Sequence, residues 1–197
     1  MTLLFSREQY LAAAEAYLKG IERRIAAGLS TNVGSVASVF ISRWDVAVSS
    51  KVGDDLRDKL GIAIAKRTYK AYRELLATPR WQAIVKAGYN PQRLLLASTG
   101  TKDPRASDIL YIKALAAPDT VNTMPEGTLK AFADHGEVGA VMLADGGDCE
   151  QVSQQFGTAG IDIDALGEQL QVEGAKAFVN SWNELMGVIE SKSAVLK

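Results

Sequence analysis

Cysteine and histidine are nearly missing from this chain, which holds one of each, Cys149 and His135, among 197 residues. A lone thiol rules out an intrachain disulfide and a thiolate cluster, and a lone imidazole argues against a protein-built zinc site. Cys149 as a nucleophile would need a base, and with no second histidine it reads as an inert thiol. His135 stands in "ADHG", at the end of a predicted helix, where an imidazole interacts well with the last carbonyls. "DGGD" (145–148) has carboxylates without the alternating ligands of a calcium loop and reads as a turn. An excess of one charge is also missing: 22 Lys and Arg stand against 23 Asp and Glu, a net charge of -1. Bulk electrostatics therefore gives no case for nucleic acid or an anionic membrane. No apolar stretch approaches the roughly 20 residues that span a bilayer. The opening "MTLLFSREQY" puts no cationic segment before its short apolar run. The expectation is a soluble, cytoplasmic protein that is not exported.

What the chain does contain is an alternation of strand and helix. Residues 2–5 read as a short buried strand, and Ser6 with Gln9 three residues later forms a capping-box pattern that starts a helix near Arg7. Tyr10, Ala14, Leu18, Ile21 and Ile25 recur at helical spacing, and Gly28 ends the run. A second strand is predicted over 35–42, helical character over 54–77, and a further helix over 79–87 opened by Thr78 and Pro79. A third strand (93–99), a helix (107–117), a fourth strand (119–124), a helix opened by Pro125, a short helix and a long one from about 165 to 195, capped by Asp164, complete the order. Trp44, Trp81 and Trp182 fall in or beside helices and read as packing residues. No linker or repeat divides the chain, so residues 1–197 are expected to form one domain of α/β class, with about four parallel strands surrounded by helices. The pattern fits either a small doubly wound sheet or part of a (β/α)8 barrel; in both, chemistry sits at the carboxyl ends of the strands.

Two strand ends carry candidate chemistry. Along the second strand Ala37, Val39 and Ile41 share one face, while Ser38, Phe40 and Ser42 share the other, followed by Arg43. Hydroxyls and a guanidinium are donors suited to phosphate oxygens. Small residues filling a tapering interior, with a surface arginine beyond them, would give the same pattern. The third strand ends in "STGTKDP", whose Lys102 is a second anion contact in prospect, although the segment fails the phosphate-loop pattern and fits an ordinary strand-to-helix turn equally well.

Four stretches in order, "TLLFS", "SVFISRWD", "RLLLASTGTKDPRASDILYI" and "PDTVNTMPEGTLKAFADHG", together resemble the carboxyl half of transaldolases of the longer bacterial type. The resemblance runs over nearly the whole chain. It implies a partial TIM (β/α)8 barrel and a step of the pentose phosphate pathway: Schiff-base transfer of a dihydroxyacetone unit between sugar phosphates, with no metal or cofactor. It assigns Ser38 and Arg43 to the phosphate site, places Lys102 near a further phosphate-binding position, and matches Thr2 to a threonine that helps place the catalytic water. The Schiff-base lysine belongs, by the same resemblance, to strands earlier than "TLLFS". The expectation is thus a half-barrel without its catalytic lysine, inactive alone, whose exposed sheet edges pair with a missing amino-terminal half or with a second copy. The rival expectation is a non-catalytic α/β phosphate-binding or assembly module. A third is recruitment of a lysine such as Lys102 as a new imine former.

Overall fold

The computed structural model describes residues 2–30 and 32–196. Ser6 does what its spacing predicts: its hydroxyl accepts from the Gln9 N–H (3.1 Å), and the Gln9 side-chain oxygen accepts from the Ser6 N–H (3.3 Å). This box opens α1 (Arg7–Ala26), whose buried Tyr10, Ala14, Leu18 and Ile21 form one stripe. Then follow β1 (Val36–Phe40), α2 (Ser42–Val48), α3 (Leu60–Leu76) and α4 (Pro79–Lys86). After α4 come β2 (Arg93–Ala97), α5 (Leu110–Ala114), β3 (Thr120–Asn122), α6 (Glu126–His135), α7 (Cys149–Thr158) and α8 (Ile163–Val195). Thr78 caps α4 as expected, accepting from the Trp81 N–H.

The expected strands 35–42, 93–99 and 119–124 shorten to β1, β2 and β3 and the helix 107–117 to α5, and three element starts also differ from the sequence pattern. Residue 42, read as strand, opens the unpredicted α2, so Arg43 lies on a helix and not beyond a strand. Residues 54–58 form turns ahead of α3. The cap of α8 is Asp162, not Asp164: Asp162 has the extended backbone a cap requires (φ -79°, ψ 102°) and accepts from the Ala165 N–H (3.0 Å). Asp164 sits in the first turn, where a carboxylate favours the helix dipole.

Among the described residues the sheet has three parallel strands in the order β1-β2-β3, with Ser38 opposite Leu95 and Leu95 opposite Val121. Of the four expected strands the first, 2–5, is reduced to one parallel bridge, Leu4 to Val39. Two competing acceptors explain this. The Gln9 side chain takes the Ser6 N–H (3.3 Å) and the Thr2 hydroxyl takes the Ser38 N–H (2.6 Å), the donors of the rungs on either side of the Leu4 bridge.

The two sheet faces are covered differently. Ala37, Val39 and Ile41, with Leu94 and Leu96, pack against Tyr10 of α1, Tyr69 and Tyr72 of α3 and Tyr111 of α5. Tyr10 and Tyr72 meet edge to face at 6.3 Å. Phe40, Leu95 and Ala97 on the opposite face meet Phe5, Trp44 and the first turns of α8 through Leu166 and Leu170. Trp44 and Trp81 are buried as expected, but Trp182 is 61% exposed, on the stretch of α8 past Gly174 where each described residue is exposed. Among the described residues, no helix is long and apolar enough to cross a membrane.

Candidate functional site

Where β1 ends, the chain turns into α2 and carries Ser42 and Arg43 over the sheet. The ladder continues past the strands: the Ile41 N–H donates to the Ala97 carbonyl and the Ser42 N–H to that of Ser98, both at 3.0 Å. The Ser42 and Ser98 hydroxyls bond each other at 2.8 Å. Ser98 holds φ +57°, a left-handed conformation that costs a serine about 1 kcal/mol or more. Its carbonyl and hydroxyl are both tied to Ser42, which fixes that conformation at the mouth of the site.

The direction of α2 is set by Asp45. Its buried carboxylate accepts from the Leu60 N–H (2.9 Å), from the Gly61 N–H (3.1 Å) and from the Tyr111 hydroxyl (2.7 Å), joining α2 to the start of α3 and to α5. Burial pushes the Asp45 carboxyl up to about 6, against the opposing effect of these hydrogen bonds. Burial and the neighbouring carboxylate raise the Tyr111 hydroxyl as well.

Around this corner lies a cleft of about 540 Å³, lined by Ser42, Arg43, Ser98, Lys102 and, from α8, Leu170 and Glu173. The Arg43 guanidinium lies over the Phe40 ring, 5.4 Å from its centre. Stacking engages the face of the guanidinium and leaves its N–H edge available to an anion. Among the described residues neither Arg43 nor Lys102 has a carboxylate within 4 Å. An adjoining cavity of about 410 Å³ shares Lys102 but has Asp45, Asp58 and Asp103 in its wall. Its own cation, Arg57, is bound to Asp54 (2.8 Å) and Asp103 (3.4 Å). Lys102 borders both spaces; on the Arg43 side two cations face one carboxylate, Glu173, whereas on the other side Lys102 and Arg57 face three.

The predicted residues form two pairs. Arg43 and Lys102 share the cleft. Thr2 and Ser38 lie together elsewhere: the Thr2 hydroxyl accepts the Ser38 N–H and donates to the Ser38 carbonyl (3.2 Å), and Ser38 is buried outside the cleft wall. With its proton engaged, Thr2 keeps only acceptor capacity toward a water. His135, at the end of α6, is exposed and reaches Asp108 and Asp134 (3.1 and 3.2 Å), and Cys149 is buried. Glu173, Leu170 and Asp45 escaped the sequence reading. The signal for the α8 residues was the pair of glycines at 167 and 174, one heptad apart in an otherwise helix-forming stretch, marking the face pressed against the body.

The family model for transaldolase/fructose-6-phosphate aldolase matches residues 1–189. This chain belongs to that family. A transaldolase of Frankia alni is 43% identical over 198 residues, covering 96% of this chain and 53% of the relative. One from Parafrankia sp. is 43% identical over 201 residues, with 98% and 54% covered. The transaldolase of Neisseria meningitidis serogroup A is 40% identical over 187 residues, with 94% and 53% covered. The chain thus spans about half the length of the curated relatives it matches. For a member of a family named for a sugar-phosphate aldolase, a cleft with free guanidinium and ammonium groups at the carboxyl ends of parallel strands has the chemistry a phosphate ester requires.

Proposed function

We propose that this chain is the phosphate-anchoring half of a transaldolase: a single-domain partial (β/α)8 barrel that holds the phosphate of a ketose phosphate while the imine-forming lysine comes from the part of the relatives' length it does not span. The supporting observation is the convergence of Arg43 and Lys102, free of carboxylate partners among the described residues, on one cleft. Here the guanidinium supplies a planar pair of donors and the ammonium a mobile charge, together suited to a dianionic ester. By family resemblance Ser38 is assigned to the substrate phosphate, although it lies beside Thr2 and outside the cleft wall, and Thr2 to the water consumed when the imine is hydrolysed. In the complete reaction a lysine amine adds to the ketose carbonyl with loss of water. The protonated imine then takes the electron pair released as the carbon–carbon bond breaks, and the carbanion adds to the acceptor aldehyde. The setting proposed for this transfer of a dihydroxyacetone unit is the pentose phosphate pathway in the cytoplasm.

The occupant we assign to the uncovered faces is the other half of the barrel. Along α8, Phe178, Trp182, Leu185, Met186 and Ile189 recur at three- and four-residue spacing, yet are 38–61% exposed. Phe178 meets Phe40 edge to face at 6.5 Å, so this stripe begins on the sheet face that a closed barrel would enclose. A second copy of the chain is the alternative cover.

The test is complementation. Titrating the chain with the part of the Frankia alni relative that it does not span should restore aldol transfer, and Arg43→Gln in this chain should suppress the restored activity. Alone, the chain treated with fructose 6-phosphate and borohydride should keep its mass; a specific sugar adduct would show that one of its own lysines forms the imine. Failure of complementation, with phosphate binding that depends on Arg43 in a monomer, would favour a non-catalytic phosphate-binding module.

A further inference from the structure

Helix α8 carries three glycines past its start, and they meet different surroundings. A Cβ on Gly167 would touch the Trp44 ring at 3.1 Å, whereas one on Gly187 would meet nothing within 4 Å. A Cβ on Gly174 would come within 3.2 Å of Arg43 Nη1 and 3.1 Å of a Leu3 methyl group. Gly174 is buried and follows Glu173, which lines the anion cleft. A mid-helix glycine costs about 1 kcal/mol relative to alanine, so its place here calls for a gain elsewhere. Arg43, by contrast, has no ion-pair partner among the described residues to fix its far end. Its guanidinium is located by the Phe40 ring on one side and by the α8 backbone at Gly174 on another.

We propose that Gly174 is a positioning residue for the anion site: the space left by its missing side chain is where the Arg43 guanidinium rests, so that α8 determines how Arg43 presents its N–H groups to the phosphate. The inference rests on the reading of Arg43 as a phosphate donor and deepens it. Alanine at 174 meets the ends of two flexible side chains, not backbone, so the helix stays seated and the guanidinium gives way. The bound anion then loses the alignment of a charge-assisted hydrogen bond.

Inorganic phosphate, titrated into the full chain and followed by phosphorus NMR line broadening, is the probe. Arg43→Gln should abolish the broadening, and Gly174→Ala should weaken affinity about fivefold to tenfold. Gly187→Ala should bind as the wild type does. Gly167→Ala, crowded against Trp44, should lower the unfolding midpoint while keeping phosphate affinity, which separates the seating of α8 from the alignment of Arg43. The pair Leu3→Ala with Gly174→Ala should remain weak, and it keeps the test in force if Gly174→Ala alone loses its fold. Wild-type affinity in Gly174→Ala beside a dead Arg43→Gln would overturn the positioning role, as would recovery on adding Leu3→Ala or an equal loss in Gly167→Ala. Unchanged binding by Arg43→Gln would instead overturn the anion-site reading itself, and this inference with it.

Discussion

Replacing Asp45 with asparagine should remove a pH dependence of stability that the fold builds in beneath the anion cleft. The Asp45 carboxyl is 4% exposed and is pushed up to about 6 from 3.8. Below pH 3.8 the group is protonated in both folded and unfolded chains. As pH rises from there to about 6, the unfolded chain releases this proton while the folded one retains it, so stability falls, and above 6 the full cost is present. At about 1.4 kcal/mol per pKa unit, a rise from 3.8 to about 6 corresponds to about 3 kcal/mol. Asparagine is the neutral counterpart. Its oxygen can accept from the Leu60 and Gly61 N–H groups, and its amide can donate to the Tyr111 oxygen, which frees the Tyr111 proton at a cost of about 1 kcal/mol. Urea unfolding of both proteins from pH 4 to pH 8 gives the difference directly. Wild type minus Asp45→Asn should fall by about 2 kcal/mol across pH 4–6.5 and then level off, the rest of the about 3 kcal/mol lying below pH 4. A flat difference, or one that rises with pH, would refute the reasoning, since it would mean that the three hydrogen bonds outweigh desolvation.

Gly61→Ala should be among the most damaging single-methyl additions. Its Cβ would lie 2.5 Å from Asp45 Oδ2 and 2.9 Å from the Ile41 carbonyl, a backbone atom, so urea unfolding should show a loss of about 2–3 kcal/mol. Glu173→Gln removes the carboxylate from the wall of the Arg43 cleft and should tighten inorganic phosphate binding severalfold at low salt, an effect that fades as salt screens it. The Asp108 and Asp134 carboxylates hold His135 above its usual 6.5, so its proton NMR titration should lie above that value and move down in Asp108→Asn. Any stability that this pair adds is present below 6.5 and lost as pH rises through the folded value. Acrylamide should quench Trp182 while sparing Trp44 and Trp81, and the complementing half should protect it if that half covers α8.

Local chemistry was readable from the sequence wherever one short segment decides it. Ser6 with Gln9, Thr78 with Pro79, and the alternating faces of 37–41 each depend on neighbours a few residues away, and each forms as its spacing indicates. Residues 2–5 show where this stops. The segment has a strand's composition, but side-chain acceptors on Gln9 and Thr2 take the Ser6 and Ser38 N–H groups that a full ladder would use. Arg43 and Lys102 were nameable from residue type and family motif, whereas the third wall of their cleft was not. Glu173 lies 130 residues beyond Arg43, on a helix whose polar positions look alike in sequence. What singles it out is Gly174 beside it, and that glycine acquires meaning only once Arg43 and Leu3 are seen against it. A charged side chain declares what it can bind. How firmly it binds depends on the surface behind it, here a missing methyl group on a helix from the far end of the chain.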